Sequence, residues 1–192
     1  ARKNDLSCVQ QPGTLTQNDL IIKGLSGLNL ANQDFPIVPI TEADKHDRNA
    51  LIVLGGCHTL AVADGVLVGD PIEKQAFEEI QWKHDGRKTS YPQGGSGPKI
   101  VQLKRFLFES ALKRMSVIVN VEDSRNSGSD YRVLSKGAPE VIRQYLKVVP
   151  DNYDKCYLKY VKNGARVLAL AYKSLERQST EAYAAIKRED AE

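Results

Sequence analysis

The sequence predicts an α+β fold, an antiparallel β-sheet flanked by helices, and three observations carry that expectation. Stretches rich in branched apolar residues at 99–108, 115–121 and 131–135 follow one another with polar links between them, the pattern of strands paired antiparallel. Helical signals fall in other parts of the chain, so helices and strands are segregated rather than strictly alternating. At 192 residues with no internal repeat, one substantial domain with a buried core is expected.

The elements are read in order. Asp19 to Lys23 is short and β-branched, a strand or connector before a polar, proline-containing region at 24–47. From Arg48 to Asp64, apolar residues at helical spacing predict a mostly buried helix with His58 within it, a histidine read as structural. Gly69-Asp70-Pro71-Ile72-Glu73 places an acidic cap, a proline at the first helical position and a glutamate at the third, which reads as a capping box opening a helix. Ile72, Ala76, Phe77 and Ile80 form its apolar face.

The glycine-rich run 93–98 reads as a flexible loop between two ordered halves. After the three strands, Pro139 and Glu140 open a helix to about Lys147. Asp151 starts another, with Tyr153, Tyr157, Tyr160 and Val161 on one face and Gly164 at its end. Arg166 to Tyr172 is a last strand, and an amphipathic helix around Thr180 to Ile186 leads into the charged KREDAE.

Composition narrows the functional classes. The net charge of +3 is too small to suggest a nucleic-acid or membrane-surface partner. Cys8, Cys57 and Cys156 are widely spaced with no CxxC pair, which argues against a disulfide framework or zinc knuckle and suits a reducing compartment. No apolar run approaches the roughly 20 residues that span a bilayer. GGSGPK lacks the GxxxxGK[ST] pattern of a phosphate loop, and Pro98 removes a backbone donor such a loop needs. No GxGxxG, GxSxG or histidine pair at metal-ligand spacing is present.

Two stretches carry chemistry beyond that. In KRFLFESALKRMSVIV, Phe108 precedes Lys113 and Arg114 at the junction of two strands, a flat aromatic face with cations nearby; an edge strand with a core phenylalanine is the plainer account. In VLSKGAPE, Lys136 and Gly137 sit between a strand and a helix start, where glycine permits close approach of a ligand and lysine supplies charge; a simple strand-to-helix turn fits equally.

Taken together, GDPIEKQA (69–76), FESALKRMSVIV (108–119), KGAPE (136–140) and ARVLALA (165–171) resemble, in order, the motifs of the nucleotide-binding domain of P-type ATPases. The wording LKRMSVIV, the CHTL at 57–60 and NYDKCYLKYVKNGARVLALAYKSL resemble most the type V-A branch of the endoplasmic reticulum. The resemblance implies an N-domain-like fold, ATP as ligand and Mg²⁺ in the intact parent. It implies that Phe108 stacks on adenine, Glu73 contacts the adenine edge and Lys113 lies beside the nucleotide. Lys136 would line the pocket floor, Gly137 and Ala138 would allow close approach, Arg166 would reach the phosphates or ribose, and Leu168 would help enclose the base. Stacking of about 1 to 3 kcal/mol plus about 1 kcal/mol from each exposed cation gives an affinity near ~1 mM.

The resemblance also implies partners: phosphorylation and actuator domains, a transmembrane region as the only link to the membrane, and no nucleic acid. The parent would be an ATP-hydrolysing translocase or dislocase of transmembrane helices, with the present chain its cytosolic nucleotide-binding part and no catalyst alone. A degenerate regulatory nucleotide module, or a protein-interaction domain on the same fold, is the alternative. Residues 1–18 read as a hinge or phosphorylation-motif remnant, or a substituted leader, and 19–192 as the nucleotide-binding domain. Gly13-Thr14-Leu15-Thr16 matches the tail of DKTGTLT, but Gln10 stands where the phosphorylatable aspartate belongs, and an amide cannot act as the carboxylate nucleophile.

Overall fold

The computed structural model describes residues 21–27, 35–123, 129–176 and 178–192, together with the backbone of 5–10. GTLT at 13–16 lies outside the described residues.

The chain forms an eight-stranded sheet in which every neighbouring pair is antiparallel. Its strands are β1 (Asp5–Gln10), β2 (Ile22–Gly27), β5 (Trp82–His84), β6 (Thr89–Pro92), β7 (Lys99–Glu109), β8 (Arg114–Glu122), β9 (Ser129–Gly137) and β10 (Ala165–Ser174). The spatial order is β2-β1-β10-β9-β8-β7-β6-β5. A separate hairpin joins β3 (Ala61–Ala63) to β4 (Val66–Val68) through Asp64 and Gly65, both at positive φ as a tight two-residue hairpin turn demands.

The curled antiparallel sheet with flanking helices is the architecture expected. The three central strands run longer than read, and the glycine-rich run at 93–98 links β6 to β7 within one sheet rather than separating two halves. The strand expected at 19–23 is displaced to 22–27. Asp5–Gln10, on the leader side of the boundary expected at residue 18, pairs with both β2 and β10, so strand pairing crosses that boundary.

Helices cover both faces. On one lie α1 (Arg48–Gly56) and α2 (Pro71–Glu79). Beneath them Ile52, Val53, Phe77 and Ile80 pack with Trp82, Ile100, Val117, Val119, Leu134 and Leu170. On the other face lie α3 (Pro139–Ile142), α4 (Tyr153–Lys162), α5 (Thr180–Ala185) and α6 (Arg188–Ala191). Successive side chains of a strand point to opposite faces: in β8, Val117 and Val119 join the first core, whereas Ile118 meets Val133, Tyr183 and Ala191 on the second. This two-sided burial is why the centre of β8, Val117 to Val119, is continuously apolar.

Local chemistry sets the helix ends. Asp47 caps α1 by accepting the Asn49 N–H at 2.8 Å. The helix stops at Gly56, where the Cys57 N–H closes onto the Val53 carbonyl, so His58 lies beyond the helix rather than within it, and 61–63 is strand. The apolar Leu60-Ala61-Val62 had suggested that the helix continued. The helix expected to reach Lys147 ends at Ile142 and tightens into a 3₁₀ turn over Arg143–Tyr145. In α4, Tyr153, Cys156 and Tyr160 form the buried stripe, while Val161 is exposed. The charged tail folds as α6, buries Ala191 and brings Glu192 into the structure.

Candidate functional site

On the α1/α2 face, the first turn of α2, the end of β9, the first half of β10, the start of β8 and the loop side of β7 surround a cleft of about 380 Å³. Ile22, Ile40, Leu54, Ile72, Ala76, Met115, Leu168 and Leu170 supply apolar surface; Thr59, Asp70, Glu73, Lys136 and Arg166 supply polar groups; Phe108 and Gly137 complete the lining.

Asp70 caps α2 as expected, its Oδ1 accepting the N–H groups of Ile72 at 2.9 Å and Glu73 at 3.1 Å. Glu73 does not close the capping box. Its Oε2 accepts both the backbone N–H and the hydroxyl of Thr59, each at 2.8 Å, and its Oε1 accepts Lys136 Nζ at 2.7 Å. The pair is largely enclosed, with side-chain exposures of 15% for Lys136 and 10% for Glu73. Burial alone pushes the Glu73 carboxyl up, but the Lys136 ammonium and the two Thr59 hydrogen bonds outweigh it and hold the group below the ordinary carboxylate range. The cleft therefore contains a charged, preorganised acceptor beside a charged donor.

Phe108 is 55% exposed and presents its ring at the cleft edge rather than in the core. The loop that follows it turns back through Lys113, which adopts a positive φ of 49° and donates its N–H to the Glu109 carbonyl at 2.7 Å. Its carbonyl accepts the Ala138 N–H at 3.0 Å, tying the β7–β8 loop to the end of β9.

Gly137 has a reason of its own at this junction. A Cβ there would sit 2.6 Å from both the Lys113 carbonyl oxygen and Arg114 Cβ, so the missing side chain lets two backbone segments pack, while the residue also borders the cleft. Among the expected site residues, the structure thus gathers Glu73, Phe108, Lys136, Gly137, Arg166 and Leu168 around one cavity. Lys113 and Ala138 stand next to it without lining it: Lys113 Nζ pairs with Glu140 Oε1 at 3.6 Å.

Arg114, read as a cation for phosphates, belongs to the other face. Its Nε and Nη2 donate to Glu192 Oε2 at 2.8 and 2.5 Å, and its guanidinium lies over the Tyr145 ring at 4.2 Å from the centroid. Ser116 donates to Glu192 Oε1 at 2.6 Å.

His58 is buried behind the cleft, as a structural histidine. Its Nδ1 accepts the Leu60 N–H at 3.1 Å, which leaves the ring proton on Nε2 to donate to Ser90 Oγ at 3.0 Å. Burial, with the neighbouring His84 and Lys136, lowers its pKa to about 3. Cys57 next to it is an inert buried thiol, pushed up to about 12 chiefly by desolvation.

The sequence reading missed Thr59 and the apolar lining from Ile22, Ile40, Leu54, Met115 and Leu170. Thr59 had a signal in CHTL, but its connection to Glu73 exists only in three dimensions. Among the described residues no group of three or more His, Cys, Asp or Glu could hold a metal ion, and no helix is long and apolar enough to cross a membrane.

Comparison with known proteins identifies the family. The family described as P-type ATPase, cytoplasmic domain N, matches residues 98–192. The chain belongs to the P-type ATPases as their cytoplasmic N domain. Within that family it is 35% identical, over 100% of its length, to an endoplasmic reticulum transmembrane helix translocase of Saccharomyces cerevisiae. It is 34% identical over 88% of its length to the protein of the same name in Schizosaccharomyces pombe. A probable manganese-transporting ATPase of Arabidopsis thaliana is 39% identical over 91% of the chain. The chain spans 14 to 15% of the length of these relatives.

Proposed function

We propose that the cleft binds ATP and that the chain presents the γ-phosphate to an aspartate in a separate phosphorylation domain of a larger P-type ATPase. The observation that carries this reading is the exposed Phe108 ring on the same cavity as the enclosed Glu73–Lys136 pair. An aromatic face left in water favours stacking of a planar base, and apolar walls at Leu168 and Met115 suit its edges.

Glu73 contacts the adenine edge. A carboxylate has about four acceptor positions, and the Thr59 and Lys136 bonds use three, leaving one on Oε1 for the exocyclic amine. Lys136 contributes positive charge at the floor, and Arg166, exposed at the start of β10, reaches toward ribose or phosphates. Lys113, outside the lining, acts on the outer part of the nucleotide, and Gly137 and Ala138 shape the approach. The cleft offers two carboxylates, Asp70 engaged as the α2 cap and Glu73 engaged by Thr59 and Lys136, which does not suit the oxygen-rich octahedral shell of Mg²⁺; the ion belongs with the phosphates in the intact parent.

The parent is read as a translocase of transmembrane helices in the endoplasmic reticulum, with this domain on the cytosolic side. Phosphorylation and actuator domains are its partners within the parent. Titration with ATP followed by backbone NMR tests the binding step. Shifts are expected around Glu73, Phe108 and Lys136, and Phe108→Ala should weaken binding by about tenfold, the loss of one stacking contact. Spectra unchanged at several millimolar ATP would sink the reading.

A further inference from the structure

Thr59 stands out because both of its donors are committed to a single atom. Its backbone N–H and its hydroxyl each reach Glu73 Oε2 at 2.8 Å, while Lys136 takes Oε1. This fixes the rotation of the carboxylate and fills Oε2. The remaining acceptor position lies on Oε1, beside an ammonium that makes one hydrogen bond among the described residues and has three N–H donors. The cleft thus shows an acceptor next to a donor, in a fixed order.

The segment that carries Thr59 is itself held on two sides. His58 Nδ1 accepts the Leu60 N–H and Nε2 donates to Ser90 Oγ, anchoring the stretch to β6. On the other side Leu60 packs against Gly69, where a Cβ would come within 2.8 Å of Leu60 Cδ2 and where φ is +147°. Gly69 directly precedes the Asp70 cap of α2, so Thr59 and Glu73 are positioned by contacts that flank both.

We infer that Thr59 is a positioning residue that sets base selectivity, by orienting Glu73 so that the cleft accepts an amino group and rejects a carbonyl at position 6 of a purine. The inference rests on the reading of the cleft as a nucleotide site. Adenine offers an amino donor at that position and an acceptor at N7, matching Glu73 and Lys136. Guanine offers two acceptors there, so the same stacked placement brings O6 against the carboxylate. A carboxylate free to rotate can turn away from O6 and let Lys136 satisfy it; one clamped by Thr59 cannot.

The test compares ATP and GTP affinity by NMR titration of the chain in its unsubstituted form, in Thr59→Val, in Thr59→Ser and in Glu73→Gln. Thr59→Val keeps the shape and the backbone N–H but loses the hydroxyl. It should weaken ATP by about three- to tenfold, the range for one ordinary net hydrogen bond, and leave GTP nearly unchanged, narrowing the ATP/GTP ratio. Thr59→Ser should restore the ratio, which a merely structural loss would not do. The Glu73 side-chain carboxyl, followed by ¹³C shifts, should titrate at higher pH in Thr59→Val. Should the valine variant not fold, Thr59→Ala is read in the same way against Thr59→Ser. An ATP/GTP ratio unaltered in the variants lacking the hydroxyl overturns the inference. ATP binding that depends on Glu73 but ignores Thr59 overturns it alone, whereas no ATP binding by the unsubstituted chain overturns the nucleotide reading as well.

Discussion

Lys136 Nζ lies 2.7 Å from Glu73 Oε1, joining the end of β9 to the first turn of α2 across the floor of the cleft. The pair is enclosed enough that its two members depend on one another. Removing one charge leaves the other partly buried without compensation.

Lys136→Met should therefore weaken a pH effect. In the unsubstituted chain the Glu73 carboxyl lies below its ordinary value, so it contributes stability above the unfolded pKa near 4.5 that is lost as pH falls through the lower folded value. Without Lys136, burial is opposed only by the two Thr59 bonds and the folded pKa should rise, so acidification should cost the variant less stability than it costs the unsubstituted chain. Urea unfolding at pH 7 should show a loss of about 3 kcal/mol, shrinking as pH is lowered. A loss independent of pH would contradict the account.

His58 acts in the same direction in a higher pH window. Its folded pKa of about 3 is below the unfolded 6.5, so below pH 6.5 the unfolded chain takes up a proton that the folded chain refuses. Stability should fall from pH 6.5 downward. Each unit of pH is worth about 1.4 kcal/mol. Between pH 6.5 and 4.5 the unsubstituted chain should lose roughly 2 to 3 kcal/mol more than His58→Gln. Parallel pH curves for the two would show that His58 is not the responsible group.

Gly137→Ala tests the junction beside the cleft. The added methyl meets a carbonyl oxygen and a backbone-proximal Cβ, each at 2.6 Å, and neither is the movable end of a flexible side chain. A cost of about 1 to 3 kcal/mol is expected, with amide shift changes in Lys113 and Arg114. A variant as stable as the parent would mean that the two segments separate without penalty.

Glu192→Gln addresses the opposite face. The Glu192 side chain is 5% exposed and accepts from Arg114 and Ser116. The neutral amide should leave the Arg114 guanidinium short of its counter-charge and lower stability by about 3 kcal/mol. Thermal melts of the two proteins at pH 7 decide this; equal midpoints would reduce the contact to a surface pair.

How much of this could be read from the letters depends on how local each cause is. The β7 to β9 strands were legible because helices on both faces bury β8 almost throughout and leave an unbroken apolar run at Val117, Ile118 and Val119. The Asp70 cap was legible because its partners are the N–H groups two and three residues on. Glu73 shows the limit: its place in the helix matched a capping box, but a lysine 63 residues away and a threonine 14 residues away claim the carboxylate instead. β5 and β6, of three and four residues, were too short to establish a period-two pattern. Arg114 looked like Lys113, its neighbour, yet strand alternation sends it to the other face, where Glu192 waits. The family motifs located most of the cleft; Ile22, Ile40 and Thr59 reach it only through folding.

The two margins of the sheet have a practical consequence. At one, β5 is only three residues long and carries the exposed Lys83 at its centre; at the other, β2 is capped by reciprocal Leu25 and Val38 hydrogen bonds of 2.9 and 2.8 Å. Short, charged or covered margins deny a second molecule the template for strand addition. The protein should accordingly remain monodisperse at the high concentrations that the spectroscopy of a weakly held ligand requires.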